Sequence, residues 1–460
     1  MAVVRNRFVK VVRMTFAKGS TQGVSEVAVL TGLEAFEIAR NLKIDLCKEQ
    51  FFPTFALFIK QFMEHLFQKS NLLMRNQQQK IIRSMMDIID WDNRLIGILG
   101  ARGTGKTTLL LQYAKNNYGI GDQVLYLSLD DIYFSENKLS DVAARFSEQG
   151  GKLLLLDEVH KYPEWAREIK NTYDFYADLK MVFTGSSISD MLRQNADLSR
   201  RSVQYYLPGL SFREFLLFTE GNHIPIVSVK DIVNKHVQIA GDISSQLKPL
   251  QHFPNYLRYG YYPFFKENVS SYHIRLEQVV KMVIETDLQF VEGFITANTR
   301  KIYQLLYLLS VSVPFKPNIS KLSEKIGITR NTLLQYLHYL EKAKLVNMLS
   351  AAGRSTSILQ KPDKLYLENT NLQYALAPGS ADKGTLRETF FLNQHLNAGN
   401  SITLPLAGDF LVNEQYVFET GGRGKTMEQV KDLPNAYIVA DETEIGALKK
   451  IPLWLFGMMY

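Results

Sequence analysis

The octet Gly100-Ala101-Arg102-Gly103-Thr104-Gly105-Lys106-Thr107 satisfies the spacing G-x-x-x-x-G-K-S/T in full. Its residue types suit one chemistry. Gly100, Gly103 and Gly105, with Thr104 between the last two, allow a tight backbone path. The loop's N–H groups can then converge on phosphate oxygens at a helix N-terminus. Lys106 brings a mobile positive charge to β- and γ-phosphates. The Thr107 hydroxyl is a hard oxygen donor of the kind magnesium takes, and Thr108 completes the phosphate-binding set at the start of the helix. ATP with Mg²⁺ is the expected ligand.

A second run, Lys152-Leu153-Leu154-Leu155-Leu156-Asp157-Glu158, is four leucines ending in two carboxylates. A buried strand of this kind delivers Asp157 to the carboxyl edge of an open α/β sheet, where ligands bind. Asp157 is the expected magnesium partner, directly or through water. Glu158 is expected to orient and polarise the attacking water. A third run, Lys180 to Ser187, ends in hydroxyls: Ser186 either senses the γ-phosphate or belongs to a turn and helix cap. Arg200 and Arg201 either supply an arginine finger, within the chain or across a subunit boundary, or form a solvated basic pair. Ser211-Phe212-Arg213-Glu214 has the form of a capping box.

These residues need strands and helices in alternation. The apolar runs Leu95–Leu99, Val124–Leu129, Leu153–Leu156 and Met181–Phe183 alternate with helical stretches, including Thr108–Lys115 directly after the glycine loop. That alternation is what a parallel sheet with crossover helices produces. The expected fold class is therefore α/β: a P-loop NTPase parallel sheet with helices on both faces.

The whole chain bounds what else it can be. Its 460 residues are 46% hydrophobic and 22% charged, an ordinary folded composition. Runs such as Phe55–Ile59 and Leu453–Phe456 are far shorter than the roughly 20 apolar residues of a spanning helix, which speaks against membrane insertion. With Cys47 as the one cysteine, an intrachain disulfide and a cysteine zinc cluster are excluded, and a reducing, cytoplasmic setting is expected. Arg5, Arg7, Lys10, Arg13 and Lys18 account for +5 of the net charge of +7, so the rest carries only +2. Net charge thus gives no argument for a polyanion partner. Residues 1–73 read either as an extension upstream of a start at Met74 or as a native segment.

Further along, Ile319 to Leu337 reads as helix-turn-helix: Gly327 ends one helix and Thr329 caps the next, in which Leu333, Leu337 and Leu340 recur at helical spacing. Two strands follow, Leu345–Leu349 and Leu365–Leu367, joined by a loop holding Gly353, Arg354 and Lys361. This is winged-helix order. Either Arg330, Asn331 and Gln335 face a DNA major groove, or the module packs against protein.

The run DEVHKYPEWAREIKNTYDFYADLKMVFTGSS, followed by LPGLSFREFL, resembles the prokaryotic AAA-type P-loop ATPases that carry a C-terminal domain of unknown function. The resemblance spans roughly Met74 to Tyr460. It implies an ATPase core over 74–225 and a helical linker or lid over 226–298. It further implies a winged-helix module over 299–370 and an α/β restriction-endonuclease-like domain over 371–460. In that last segment Glu388, Asp409 and Glu419 occur in the order of that fold's metal-binding acids, but Gly421 stands where an active member carries lysine. Lys425 or Lys431 could stand in for it, but neither has the expected spacing; Gly421 and two further glycines leave the acids without a fixed positive neighbour, so a degenerate, non-cleaving domain is expected. His160 and Trp165 are expected to pack rather than to do chemistry. The function expected from all this is a Mg-dependent ATPase coupling nucleotide state to its C-terminal half. The alternatives are a DNA-binding regulator switched by ATP and an ATP-regulated nuclease. DNA, a protein partner and further copies of the chain are candidate partners.

Overall fold

The computed structural model describes residues 51–77, 81–186, 198–291, 294, 298–311, 317–351, 353, 361–379 and 382–460, the helix over 51–62 as backbone only. The basic segment at the front of the chain, Ser187 and Arg354 lie outside the described residues.

The first half runs α1 (Phe51–Asn76), β1 (Leu95–Gly100), α2 (Lys106–Asn117), β2 (Val124–Ser128), α3 (Leu139–Glu148), β3 (Leu153–Asp157), α4 (Trp165–Phe175), β4 (Lys180–Ser186) and β5 (Val203–Tyr206). The strands form one sheet in the order β2-β3-β4-β1-β5. The pairings β2–β3, β3–β4 and β1–β5 are parallel. Every residue of β1 and β3 is buried, which is why both read as unbroken apolar runs rather than as alternation.

The chain divides into two compact units. One combines the segment before Gln78 with Tyr113–Phe183. In it α1 lies along the edge strand β2, where Ser70 Oγ accepts a hydrogen bond from the Tyr126 amide at 3.0 Å. Met63, Leu66, Ser70 and Met74 are buried, and the Phe67 ring meets that of Phe146. The helix thus covers an edge that would otherwise expose unpaired backbone groups. The boundary expected at 73/74 falls inside this helix.

The other unit holds Gln78–Gln112 and Thr184–Tyr460. After β5 come α5 (Phe212–Glu220), α6 (Val229–Gln246), α7 (Pro249–Tyr259), α8 (Tyr272–Glu285), α9 (Thr299–Ser310), α10 (Ile319–Ile326) and α11 (Arg330–Lys342). An antiparallel hairpin, β6 (Val346–Leu349) and β7 (Lys364–Leu367), follows. Gly327, at φ 71°, ends α10, and Thr329 Oγ1 caps α11 by accepting from the Thr332 amide, as the sequence pattern implies. Helices α12 (Thr370–Leu376) and α13 (Lys383–Asn397) lead into strands β8 (Ile402–Thr403), β9 (Phe410–Val412), β10 (Tyr416–Gly421), β11 (Ala436–Ala440) and β12 (Lys450–Pro452). These make a mixed sheet of order β12-β11-β10-β9-β8, parallel from β10 to β12 and antiparallel from β8 to β10. One apolar core runs from Leu210 to Met459, so the boundaries expected at 225/226, 298/299 and 370/371 all lie within a shared core. Among the described residues no helix is long and apolar enough to cross a membrane.

Candidate nucleotide site

The glycine loop follows β1 and opens α2, with Lys106 as the helix's first residue. Gly103 and Gly105 have φ of 84° and 94°, a region that side chains with a Cβ rarely occupy. Gly100 is constrained differently: a Cβ there would stand 2.4 Å from the Leu207 carbonyl oxygen, because the chain leaving β5 runs against it. The Thr104 hydroxyl is buried and donates to the Ala101 carbonyl at 2.9 Å, closing the turn. Lys106 Nζ donates to the carbonyls of Gly100 and Ala101 at 2.9 and 3.0 Å. Thr107 and Thr108 lie in the first turn of α2.

A residue without any motif signal completes the loop's support. Arg83 is buried and donates to the carbonyls of Thr104 at 3.0 Å, Pro208 at 2.7 Å and Gly209 at 3.0 Å. It also grips both carboxylate oxygens of Glu214 on α5. Ser211 Oγ does cap α5 by accepting from the Glu214 amide, but the Glu214 side chain is committed to Arg83. Burial alone would raise the Glu214 carboxyl; the charge and hydrogen bonds of Arg83, with Arg213 behind them, outweigh it and hold the group below its ordinary value. Arg213 extends the network to Ser84 Oγ and to the Tyr460 carbonyl.

Asp157 ends β3, buried. Its Oδ2 accepts from the Tyr126 hydroxyl at 2.8 Å and its Oδ1 from the Glu158 amide at 3.1 Å. Burial, then the Asp157 charge, pushes Tyr126 far above the ordinary phenol value, so it stays a donor. Glu158 has φ 53°, a conformation that costs a residue with a Cβ about 1–3 kcal/mol and collects at working sites. Its carboxylate stands 3.5 Å from Nε2 of the buried His160. His160, read from sequence as packing alone, therefore also faces the Glu158 carboxylate. Ser186 is buried at the end of β4. Arg200 is exposed and Arg201 half-buried, both on the turn before β5.

The three C-terminal acids are brought together, with a feature the sequence reading had reversed. Gly421 was expected to leave them without a fixed cation. Instead Lys364 Nζ, on β7, lies 3.0 Å from Glu388 Oε2 and 3.6 Å from Asp409 Oδ1, and Lys425 Nζ lies 2.5 Å from Glu419 Oε1. The Tyr366 hydroxyl adds a 2.6 Å bond to Glu388, and Asp409 Oδ2 accepts from the amide and hydroxyl of Thr420 at 2.9 Å each. Gly421 is what admits Lys425: a Cβ there would come within 2.7 Å of that lysine's stem. No group of three or more His, Cys, Asp or Glu among the described residues is arranged to hold a metal ion. The lysines thus occupy the acids to which the sequence resemblance assigns a divalent cation.

Residues 92–216 match the family model of an AAA domain, and residues 250–383 match a domain of unknown function. An uncharacterized protein of Methanocaldococcus jannaschii is 28% identical over 326 residues, covering 66% of this chain and 68% of that protein. Two solved structures are distantly similar. AMPPCP-bound DnaA from Aquifex aeolicus shares 18% identity over 55% of this chain and 82% of its own, with a TM-score of 0.23. PCH-2 of C. elegans shares 17% over 61% of this chain and 67% of its own, with a TM-score of 0.24. From the family match and the loop geometry together, the chain carries an AAA-type P-loop domain followed by a domain of unknown function.

Proposed function

We propose that the chain binds ATP at the loop Gly100–Thr108 and hydrolyses it with magnesium, coupling nucleotide state to its C-terminal part. The observation that carries this is the loop itself: two positive-φ glycines running into a helix whose first residue is Lys106. Backbone N–H groups turned inward by such a path, with the α2 N-terminus behind them, favour phosphate. Thr107 and Asp157 are the oxygen donors assigned to magnesium, whose charge would offset that of the phosphates. Glu158 is assigned to orient water, and its strained backbone beside His160 supports a fixed carboxylate there. Ser186, Arg200 and Arg201 stay as candidates for the γ-phosphate, the arginines within the chain or from a second copy. A second reading, a DNA-binding regulator switched by ATP, is favoured by the exposure of Arg330, Asn331 and Gln335 on α11. The winged-helix reading of 299–370 belongs to the same proposal.

Calorimetry with a non-hydrolysable ATP analogue and Mg²⁺ tests the first reading. Lys106→Ala should abolish tight binding in a folded protein, and Glu158→Gln should keep binding while phosphate release stops. Wild-type affinity in the first variant would remove the nucleotide site. Unchanged turnover in the second would remove Glu158 from its role. DNA-independent turnover by the wild type would favour the ATPase reading over the regulator.

A further inference from the structure

The side of the phosphate loop away from β1 is held by residues more than 150 positions downstream, inside the same compact unit. Arg102, the third residue of the loop, makes a two-point contact with Asp287: Nε to Oδ2 at 3.2 Å and Nη2 to Oδ1 at 3.0 Å. Asp287 is fully buried, on the short turn after α8, and the Arg102 side chain is 17% exposed. Paired charges held in such a fork geometry, away from water, fix orientation as well as adding energy. Two adjoining glycines meet a second downstream segment. A Cβ on Gly103 would touch Phe264 at 3.2 Å and Tyr262 at 3.6 Å, and one on Gly105 would touch Pro263 at 3.6 Å.

That aromatic segment is itself fixed. The Tyr261 amide donates to Asn371 Oδ1 at 2.8 Å, the Tyr272 hydroxyl donates to the same oxygen at 2.5 Å, and the Tyr262 amide donates to the Tyr272 hydroxyl at 3.3 Å. Asn371 Nδ2 donates in turn to the carbonyls of Tyr256 and Leu257. The loop therefore rests on the Tyr262–Phe264 segment between α7 and α8, which Asn371 of α12 holds in place, and Asp287 anchors it there by an ion pair.

We infer that Asp287 is a positioning residue for the nucleotide site, acting through Arg102 to hold the phosphate loop in its binding shape. This makes the domain of unknown function, which spans residues 250–383, a working part of the site that the AAA domain carries. The physical reason is specific. Phosphate binding needs several N–H groups aimed at once, so a loop that samples other paths loses affinity even with Lys106 intact. The inference rests on the nucleotide-site reading above, and its test separates the two.

Asp287→Asn keeps the size and removes the charge; Arg102→Gln removes the other partner; the double variant restores a neutral pair in case a single one folds poorly. Two measurements are made on each full-length protein. The first is calorimetry with the ATP analogue and Mg²⁺, with Lys106→Ala as reference. Each single variant should bind at least roughly tenfold more weakly, and the double variant no more weakly than the worse single. The second is amide hydrogen exchange over residues 101–107 without nucleotide, which should quicken in Asp287→Asn. Wild-type affinity in both singles while Lys106→Ala loses binding would overturn this inference and leave the nucleotide site standing. Losses that add in the double variant would overturn it too. If Lys106→Ala binds like wild type, the nucleotide reading fails, and unchanged loop exchange in Asp287→Asn would then overturn the positioning role by itself.

Discussion

Arg83 and Glu214 form a buried two-point ion pair, Nη2 to Oε2 at 2.6 Å and Nε to Oε1 at 3.1 Å, and the same guanidinium holds the Thr104 carbonyl of the phosphate loop. The pair joins the chain ahead of β1 to α5 and to the loop in one contact set. Removing one partner strands the other charge in the interior. Arg83→Met should therefore cost about 3–5 kcal/mol in denaturant unfolding, well above an exposed arginine's loss. The pH dependence follows from the direction of the Glu214 shift. Its folded value lies below the ordinary one, so its contribution is full above the ordinary carboxylate range and is lost as pH falls through the folded value. The stability gap between wild type and Glu214→Gln should be wide at neutral pH and close in acid. A gap that is flat with pH would mean the carboxylate's charge is not what stabilises the contact.

A truncation that begins at Met74 should be unstable. It removes Met63, Leu66 and Ser70, and with them the apolar cover and the hydroxyl that meets the Tyr126 amide on the edge of β2. Burying one such side chain fully contributes about 1.5–3 kcal/mol. The truncated protein should melt well below the full chain and aggregate through the exposed edge. The milder Leu66→Ala should lose about 2–5 kcal/mol in the same measurement. Equal melting temperatures for full chain and truncation would show that α1 adds nothing to this unit.

What the sequence made legible, and what it left hidden, divides by the range of the interaction. The phosphate loop, the buried β3 with Asp157 at its end, and the cap and stop of α11 and α10 are set by local backbone demands, and each leaves a mark within a few residues. Arg83 leaves none, because its partners Thr104, Pro208, Gly209 and Glu214 come from distant positions that only the fold assembles. The sequence leaves residues 1–73 open between an extension and a native segment for a related reason. The burying face of α1 can be seen only once β2 is known to be a sheet edge. For the C-terminal cations, fixed spacing from Glu419 is the wrong signal: it sets Lys425 aside and does not reach Lys364. Lys425 instead folds back over Gly421, and Lys364 arrives from another strand.

Glu368, just after β7, offers a pH test with the opposite sign. Burial raises its carboxyl to about 7, against only partial relief from Lys344. Between the ordinary carboxylate value and about 7 the folded protein holds this proton and the unfolded chain has released it. Stability should therefore fall as pH rises through that window. Glu368→Gln removes the titration and should be more stable than wild type at pH 8, by on the order of 3 kcal/mol, with the difference shrinking toward pH 5. Urea unfolding at both pH values checks this. A variant less stable than wild type at pH 8 would mean that the charged form is the one the fold accommodates.

The C-terminal domain should not cut DNA, for a reason other than the one its sequence offers. Cleavage by a cluster of acids needs carboxylate oxygens free to share a divalent cation. Here Glu388 accepts from Lys364 and Tyr366, Asp409 faces Lys364 on one oxygen and Thr420 on the other, and Glu419 is paired with Lys425. Lys364 thus supplies the positive charge between two acids that a metal would supply in a nuclease. Burial, followed by the neighbouring Asp409 and Glu388 charges, raises the Glu419 carboxyl against the pull of Lys425, which further weakens it as a ligand. Full-length protein incubated with linear and supercoiled DNA, ATP and Mg²⁺ or Mn²⁺ should leave both substrates intact. Calorimetric titration of Mn²⁺ without nucleotide should show no site that Asp409→Ala abolishes. Lys364→Met, which leaves the buried Glu388 and the half-buried Asp409 without their shared cation, should unfold at a lower denaturant concentration than wild type. Cleavage or Mn²⁺ binding that disappears in Asp409→Ala would show that the lysines yield to a metal and that the cluster is a working nuclease site.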